Sequence, residues 1–296
     1  LSPLAETWEC ATHPDGQSRA AATGEKLGDL LAAHPDYLGT HPLATTGGKA
    51  ELPILIKLID ACSDLSVQVH PDDEFARAQE NSLGKTEMWY VLAAKKNAEI
   101  VYGFSRDMEP GEVRTALRNG TIGNCLNHIP VHKDDLFYVE AGTVHAIGAG
   151  VLLAEIQENS NITYRLYDYD REDRNGKKRE LHIEKALQAA RLSSSNKPRQ
   201  PLRTLRYRKG CASELLCRCK YFQVERLLLN TEIHRALTGY QTGANSFHAL
   251  LCTEGCGVLF GEGFMLNFFK GDCIFVPADS IPLKLHGRAQ LLDVSC

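Results

Sequence analysis

The chain has 296 residues, of which 43% are hydrophobic and 24% charged, so it can bury a sizeable core in one large domain or two modest ones. Its formal net charge of −4 and its pI near 6.3 argue against a nucleic-acid partner, which would require a basic face. No apolar run approaches the length of a membrane span, and no signal peptide is visible. We therefore expect a protein that enters no membrane.

The ten cysteines are scattered and include no paired Cys-x-x-Cys. In a chain of this size such a distribution is typical of reduced thiols and favours a cytoplasmic location. A zinc site built from cysteines is not favoured.

Helical periodicity is confined to short segments between β-rich runs. Apolar residues at helical spacing, with acidic residues in the first turn of the second segment, predict helices at 26–33, 72–80, 112–117 and 182–191. The helices are thus predicted as insertions in a β fold.

The β-rich run 65–70 alternates apolar residues with Ser66, Gln68 and His70. Successive side chains of a strand point to opposite faces, so the apolar row must face a core. The polar row faces either water or a cavity in which a hydroxyl, an amide and an imidazole converge. Alternation alone favours the half-buried surface strand.

Two later runs add groups that favour a cavity over a half-buried surface strand. Glu87 lies near the start of the run 85–92, and His145 follows a strand and a glycine-bearing turn in 136–148. Two imidazoles and a carboxylate on three different strands, with an amide on the strand of the first imidazole, suit an open metal site for zinc, or for iron, manganese or cobalt. Three firm ligands leave a position for water or substrate, which is the catalytic arrangement.

These motifs carry a family resemblance. The chain resembles the type I phosphomannose isomerases, in their short Bacillus-type branch of the cupin superfamily, continuously from about residue 7 to 187 and more loosely to 296. The matching segments are 7–16, 53–60, 68–71, 84–90, 141–148 and 164–168.

The resemblance implies metal ligation by His70, Glu87 and His145, with Gln68 as the fourth ligand. The expected cofactor is one Zn²⁺ per chain, with another divalent metal as the alternative.

The resemblance also implies that Arg165, Lys85 and Glu155 are catalytic groups. An aldose–ketose isomerisation through an enediol needs a base and stabilisation of negative charge on oxygen. Arginine deprotonates with difficulty, so Arg165 is expected to orient substrate or stabilise charge, while Lys85 and Glu155 compete as the base. Taken singly, each has a plainer interpretation: Lys85 as a solvated lysine, Arg165 as an arginine paired with Asp168 or Asp170, and Glu155 as a carboxylate at the rim of the site.

Four further residues are candidates for binding substrate. The phosphate needs a cationic clamp, for which Arg171 and Lys57 are candidates together with the hydroxyl of Ser66. His13 lies in a motif that is expected to line the sugar pocket, although an exposed turn histidine would fit its sequence equally well.

The predicted fold class is all-β with helical insertions, forming two cupin-type (double-stranded β-helix) barrels. We expect a metal-binding catalytic cupin domain at 1–200 and a second cupin-like β domain without metal at 201–296. A polar, proline-bearing linker at 192–201 and renewed strand patterns at 221–227, 247–251 and 271–277 support this division. The second barrel is interpreted as structural.

The function implied is a metal-dependent isomerase of mannose 6-phosphate and fructose 6-phosphate, with a sugar phosphate as partner and a monomer or homodimer as assembly. The alternative is a cupin that binds a sugar or sugar phosphate as a sensor without turnover. A third possibility, an iron cupin oxygenase, offers no reason for Lys85 and Arg165.

Overall fold

The computed structural model describes residues 5–196 and 198–296, which form mainly antiparallel β-strands joined by short helices. This confirms the predicted fold class of β-structure with helical insertions. None of the helices in these ranges is both long and apolar enough to cross a membrane.

The chain folds into two compact units that are discontinuous in sequence. The first unit combines residues 5–7 with Lys57–Pro201, and the second combines Trp8–Ile56 with Leu202–Cys296. One boundary thus lies at residue 201, and Trp8–Ile56 groups with the residues beyond it. The assignment of a catalytic domain at 1–200 and a metal-free domain at 201–296 stays a prediction.

Two five-stranded sheets make up the first unit, in the orders β1-β2-β9-β4-β7 and β10-β3-β8-β5-β6, with β1 and β2 running on into the second unit. The strands are β1 (Glu6–Glu9), β2 (Ile54–Ala61), β3 (Val67–Val69), β4 (Glu87–Ala94), β5 (Glu99–Phe104), β6 (Leu126–Pro130), β7 (Leu136–Val139), β8 (His145–Ile147), β9 (Val151–Glu158) and β10 (Tyr164–Tyr167).

Four helices were predicted from the sequence, and each is present with both ends within two residues of the prediction, whereas Thr40–Thr45 and Thr231–His234 were not predicted. All the helices lie between strands. They are α1 (Leu27–Ala33), α2 (Thr40–Thr45), α3 (Asp73–Glu80), α4 (Pro110–Arg118), α5 (Ile183–Ala189) and α6 (Thr231–His234), with short 3₁₀ helices at Pro35–Leu38 and Ile122–Cys125. The side chain of Asp72 caps α3 by accepting a hydrogen bond from the Phe75 amide at 2.8 Å.

Strand β3 shows the predicted alternation over a shorter span than 65–70. Val67 and Val69 are buried in one hydrophobic cluster of the first unit, and Gln68 between them is half-buried. Leu65 precedes the strand and packs against the other cluster, which contains Trp89. The polar row therefore faces away from the Val67 cluster, and it continues into the buried His70.

The second unit is built on one sheet in the order β11-β12-β13-β18-β15-β16, with β14 paired to β18 and β17 to β15. Its strands are β11 (Arg206–Arg208), β12 (Cys211–Arg218), β13 (Gln223–Asn230), β14 (Thr238–Tyr240), β15 (His248–Gly261), β16 (Phe264–Phe269), β17 (Cys273–Val276) and β18 (Leu283–Ser295). The N-terminal segment joins this unit through main-chain hydrogen bonds, such as the one from the Phe247 amide to the Leu38 carbonyl at 2.9 Å.

Candidate metal centre and active site

Three of the predicted ligands converge in the first unit. His70 follows β3, while Glu87 and His145 are the first residues of β4 and β8. The Nε2 atoms of His70 and His145 lie 3.5 and 3.4 Å from the two carboxylate oxygens of Glu87, and all three side chains are only 1% exposed. In the part of the chain that the structure describes, this is the group with the spacing of metal ligands.

The main chain fixes which nitrogen of each histidine faces Glu87. Nδ1 of His70 lies 2.8 Å from the carbonyl oxygen of Ile162, and Nδ1 of His145 lies 2.8 Å from that of Thr143. A carbonyl oxygen can only accept a hydrogen bond, so each Nδ1 carries the proton. Both Nε2 atoms therefore offer a lone pair toward the carboxylate, which is the orientation of metal-bound histidines.

The four atoms that face one another in this cluster lack hydrogen bonds. Both Nε2 atoms and both Glu87 carboxylate oxygens are buried and have no hydrogen-bond partner among the described residues. Leaving buried polar atoms unsatisfied is costly, and a cation between them would satisfy all four at once. Two imidazole nitrogens and a carboxylate suit a zinc-type ion, so the residues fit a divalent metal.

Burial also sets the protonation states that this donor set needs. It lowers the pKa of His145 to about 4 and the pKa of His70 well below its ordinary value, so both rings are neutral. Burial, with a contribution from the charge of Glu155, raises the pKa of Glu87 to about 8. A divalent ion would restore the ionised carboxylate.

Gln68 lies beside the cluster on the same face of the sheet. Its Cα is paired with that of His145 on β8 and with that of Arg165 on β10. Directly paired residues project to the same side, so Gln68 is placed at the site. Its bond to a metal stays a prediction.

A buried network of charges adjoins the metal ligands. The ammonium group of Lys85 lies 3.4 Å from Oε2 of Glu87, and that of Lys57 lies 3.5 Å from Oε1 of Glu155. Burial alone would raise the pKa of Glu155, but the positive charges of Lys85 and Lys57 outweigh it and hold that pKa below its ordinary value. Glu155 is therefore an anion inside the protein and not a carboxylate at the rim.

Trp89 is part of this network, although sequence reasoning did not single it out. Its indole Nε1 donates a hydrogen bond to Oε2 of Glu155 at 3.0 Å, and its ring contacts that of His145 edge-on at 5.3 Å between centroids. The signal was present in the alternation of β4, since Trp89 is two residues beyond Glu87 and shares its face.

Gln157 is a second residue that the sequence did not reveal. It is fully buried directly opposite Glu87 in the β4–β9 pair, and its Nε2 donates to the carbonyls of Glu158 and Ser160. Its Oε1 has no hydrogen-bond partner among the described residues. An acceptor is thus held next to the metal ligand.

Arg165 lies on β10 and contacts two other parts of the first unit. Its Nε donates to the hydroxyl of Ser66 at 3.3 Å, and its Nη1 donates to the carbonyl of Glu180 at 2.9 Å. Ser66 is therefore brought next to Arg165, and its predicted contact with phosphate stays a prediction.

Arg171 and Arg179 form a salt-bridge cluster with Asp168. The carboxylate of Asp168 accepts hydrogen bonds from Nη2 of Arg171 at 2.5 Å and from Nε of Arg179 at 2.8 Å. Arg171 also donates to the carbonyl of Asp64 at 2.5 Å. Partial burial opposes ionisation of Asp168, but the two guanidinium groups outweigh it and lower its pKa. The predicted phosphate contact of Arg171 stays a prediction.

His13 lies in the second unit, in a turn. Its Nδ1 accepts a hydrogen bond from the Asp15 amide at 3.2 Å, and its ring packs edge-on against Trp8 at 5.3 Å. Its predicted contact with substrate stays a prediction.

Comparison with known proteins decides the family. A model of the catalytic domain of type I phosphomannose isomerases matches residues 1–108. The mannose-6-phosphate isomerase ManA of Bacillus subtilis is 36% identical over 291 residues, which cover 97% of this chain and 88% of the relative. The chain belongs to the type I phosphomannose isomerase family.

Solved structures of phosphomannose isomerases share the fold. The crystal structure of mannose 6-phosphate isomerase from Bacillus subtilis matches with a TM-score of 0.86 and 34% identity, covering 99% of this chain and 89% of that one. A mannose 6-phosphate isomerase bound with zinc and yttrium matches with a TM-score of 0.74 and 18% identity, covering 99% and 90%. The second likeness bears on the fold alone.

Proposed function

We propose that this phosphomannose isomerase interconverts mannose 6-phosphate and fructose 6-phosphate through an enediol. The observation that carries the proposal is the buried His70–Glu87–His145 set, whose inward atoms lack hydrogen bonds and which is flanked by Lys85 and Arg165. The names of the full-length relatives support the choice of substrate.

The proposed cofactor is one Zn²⁺ per chain, held by His70, Glu87 and His145 with Gln68 as the fourth ligand. The nitrogen and oxygen donors support zinc, and a family relative has been crystallised with it. When bound, the metal would supply Lewis-acid stabilisation of the negative charge that develops on the sugar oxygens.

Proton transfer between C1 and C2 requires a group that can accept and return a proton. Glu155 is engaged at both oxygens, since Trp89 donates to one and Lys57 lies 3.5 Å from the other. Lys85 is buried, and among the described residues its ammonium group has one ion-pair contact, which is long, at 3.4 Å from Glu87. We therefore assign proton transfer to Lys85, while Glu155 orients Lys57 and Trp89.

Charge balance explains why such a site would favour an anionic substrate. The buried ammonium groups of Lys57 and Lys85 offset the carboxylates of Glu87 and Glu155, so a bound divalent ion adds net positive charge. Arg165, on the same sheet face as Gln68, contributes another positive charge. This excess would attract the phosphate and stabilise an enediolate as it forms.

A direct assay tests the proposal. Metal-loaded protein is incubated with mannose 6-phosphate in D₂O, and fructose 6-phosphate is quantified by a coupled reaction and its deuterium content by mass spectrometry. We expect turnover with deuterium entering at C1 or C2. Turnover without deuterium would favour hydride transfer over a base, and tight binding without turnover would favour a sugar-phosphate sensor.

A further inference from the structure

The second unit contains a cavity of about 510 Å³ whose lining combines apolar and polar residues. This volume is in the range of small-molecule sites. One lining residue is Asp293, whose buried carboxylate accepts a hydrogen bond from the hydroxyl of Tyr240 at 3.0 Å and lies 2.6 Å from Nδ1 of His248. Three strands, β14, β15 and β18, are thereby joined at one polar point.

Several groups of this cavity are hydrogen-bond acceptors. Nδ1 of His248 is held by Asp293, so Nε2 is the ring nitrogen that remains to contact a ligand. Glu225 lines the same cavity and is paired directly with Asp293 across β13 and β18, which places two carboxylates side by side. Like charges in this position repel each other, and O–H donors from a ligand would relieve the repulsion.

Cationic groups lie on the edge strand of the same cavity. Arg206 and Arg208 are two residues apart on β11, so they project to the same side, and both line the cavity while remaining exposed. Nη1 of Arg208 makes a long contact of 3.4 Å with the carbonyl of Gly239. Two guanidinium groups can bind the oxygens of a phosphate through charge-assisted, bidentate hydrogen bonds.

We propose that this cavity is a second binding site, separate in the chain from the metal centre, for a phosphorylated sugar or polyol. Arg206 and Arg208 would bind the phosphate, and Glu225, Asp293 and His248 would accept hydrogen bonds from the hydroxyl groups. The metal-like cluster identified among the described residues belongs to the first unit, so the second cavity is assigned an organic ligand.

Glucitol 6-phosphate is the probe for the test, because it has no carbonyl group and cannot be isomerised. Hydrogen–deuterium exchange of the metal-loaded protein locates its binding by segment. We expect slower exchange at 206–213 and 238–241, with much weaker protection by unphosphorylated glucitol. Unchanged exchange in both segments at saturating probe, or equal protection by glucitol, would overturn the proposal.

Variants test the role of the two arginines. In Arg206→Ala/Arg208→Ala we expect protection of these segments to need at least about tenfold more probe, because two charge-assisted hydrogen-bonding groups are lost. Turnover of mannose 6-phosphate at saturating substrate should be unchanged. Arg218→Ala removes an exposed arginine outside this cavity and is the matched control. In this variant the probe should slow exchange of both segments as it does in the wild type. Wild-type protection in the double variant would refute the assignment.

Discussion

His70 and His145 are oriented before any metal binds, because main-chain carbonyls hold their Nδ1 protons. His70→Ala or His145→Ala should each remove most of the bound metal, whereas His128→Ala, which changes an exposed histidine paired with Glu99, should retain it. Elemental analysis of purified protein measures the number of metal ions per chain, which we expect to be about one for the wild type. Near-stoichiometric metal in either site variant would mean that the ion lies elsewhere.

Lys85 and Arg165 are expected to act on the sugar and not on the metal. Lys85→Ala and Arg165→Ala should keep their metal and lose roughly a hundredfold or more in kcat, because each removes a positioned acid–base or charge-stabilising group. KM should rise more for Arg165→Ala, since only Arg165 is expected to contact the ground-state substrate.

Two control variants distinguish a role of Lys85 in proton transfer from a role of its positive charge alone. Lys85→Arg keeps a cation but removes a group able to exchange its proton, so it should remain as impaired as Lys85→Ala. Lys96→Ala changes an exposed lysine and should behave as the wild type. Full activity in Lys85→Arg would show that Lys85 acts through its charge alone.

Residue types on successive strands indicated an open metal site, and the family resemblance implied that His70, Glu87 and His145 are its ligands. They were not enough to pair Lys57 with Glu155 or to bring Trp89 onto that carboxylate. The Trp89 contact depends on the register in which β9 lies against β4, where Glu155 faces Trp89, and the Lys57 contact depends on how β2 lies against β9. Register is fixed by the whole sheet and not by either strand.

At the scale of elements, Gly84 determines how closely α3 can approach the start of β4. A Cβ at this position would lie 2.6 Å from the main-chain carbon of Asp72 and 2.6 Å from the nitrogen of Asp73. Gly84→Ala should therefore lower the free energy of unfolding by roughly 1–3 kcal/mol, as overpacking does, and should weaken activity by displacing the neighbouring Lys85.

Urea denaturation measures this effect, with Gly111→Ala as the control. A Cβ at Gly111 meets no atom within 4 Å, and the residue lies in α4, so the change should be neutral or slightly stabilising. Equal unfolding free energies for Gly84→Ala and the wild type would show that α3 moves aside at no cost.

The segment after β10 should respond to acid through Asp168. Its pKa is lower in the folded protein than in the unfolded chain, so its ionised form stabilises the fold above the ordinary carboxyl pKa of about 3.9. That stabilisation is lost as the pH falls through the lower, folded value. The stability advantage of the wild type over Asp168→Asn should therefore be largest near neutral pH and should shrink in acid.

Urea denaturation at a series of pH values measures the difference. Asp170→Asn is the matched control, because Asp170 is exposed and bonded only to the exposed Lys178 among the contacts described. A constant gap between Asp168→Asn and the wild type from pH 7 to pH 3 would contradict a role for the Asp168 charge.

Local sequence patterns predicted the helices well where one face of the helix is apolar. Apolar periodicity located α1, α3, α4 and α5 within one or two residues. The run 65–70 was predicted too long, because Leu65 packs with the Trp89 cluster while Val67 and Val69 pack with the other. Alternation cannot reveal which of two cores a residue joins.

For the whole molecule, removal of the metal should lower the melting temperature. A ligand at 100 times its dissociation constant stabilises the native state by about 2.7 kcal/mol, provided that the unfolded chain does not bind it. A chelator should therefore reduce the Tm of the wild type by several degrees, and added zinc should restore it. His70→Ala should melt at the same temperature with and without chelator, and an equal shift in that variant would contradict a site at His70.

The grouping of Trp8–Ile56 with residues beyond 201 could not be predicted from sequence. It depends on contacts such as that between Leu38 and Phe247, which are separated by most of the chain. No local motif encodes such a pairing, whereas the strand and turn signals of the second β region are local.

This chain order has a consequence for biosynthesis. Residues 8–56 leave the ribosome before residues 57–201, and their partners after residue 201 begin to be translated roughly 7–30 s later at about 5–20 residues per second. Residues 57–201, which include the metal ligands, emerge in between. The nascent chain can thus assemble its metal centre while Leu27, Leu31 and Leu38 are still exposed to solvent. All three are buried in the finished protein. The early segment is where we expect a chaperone to bind during translation.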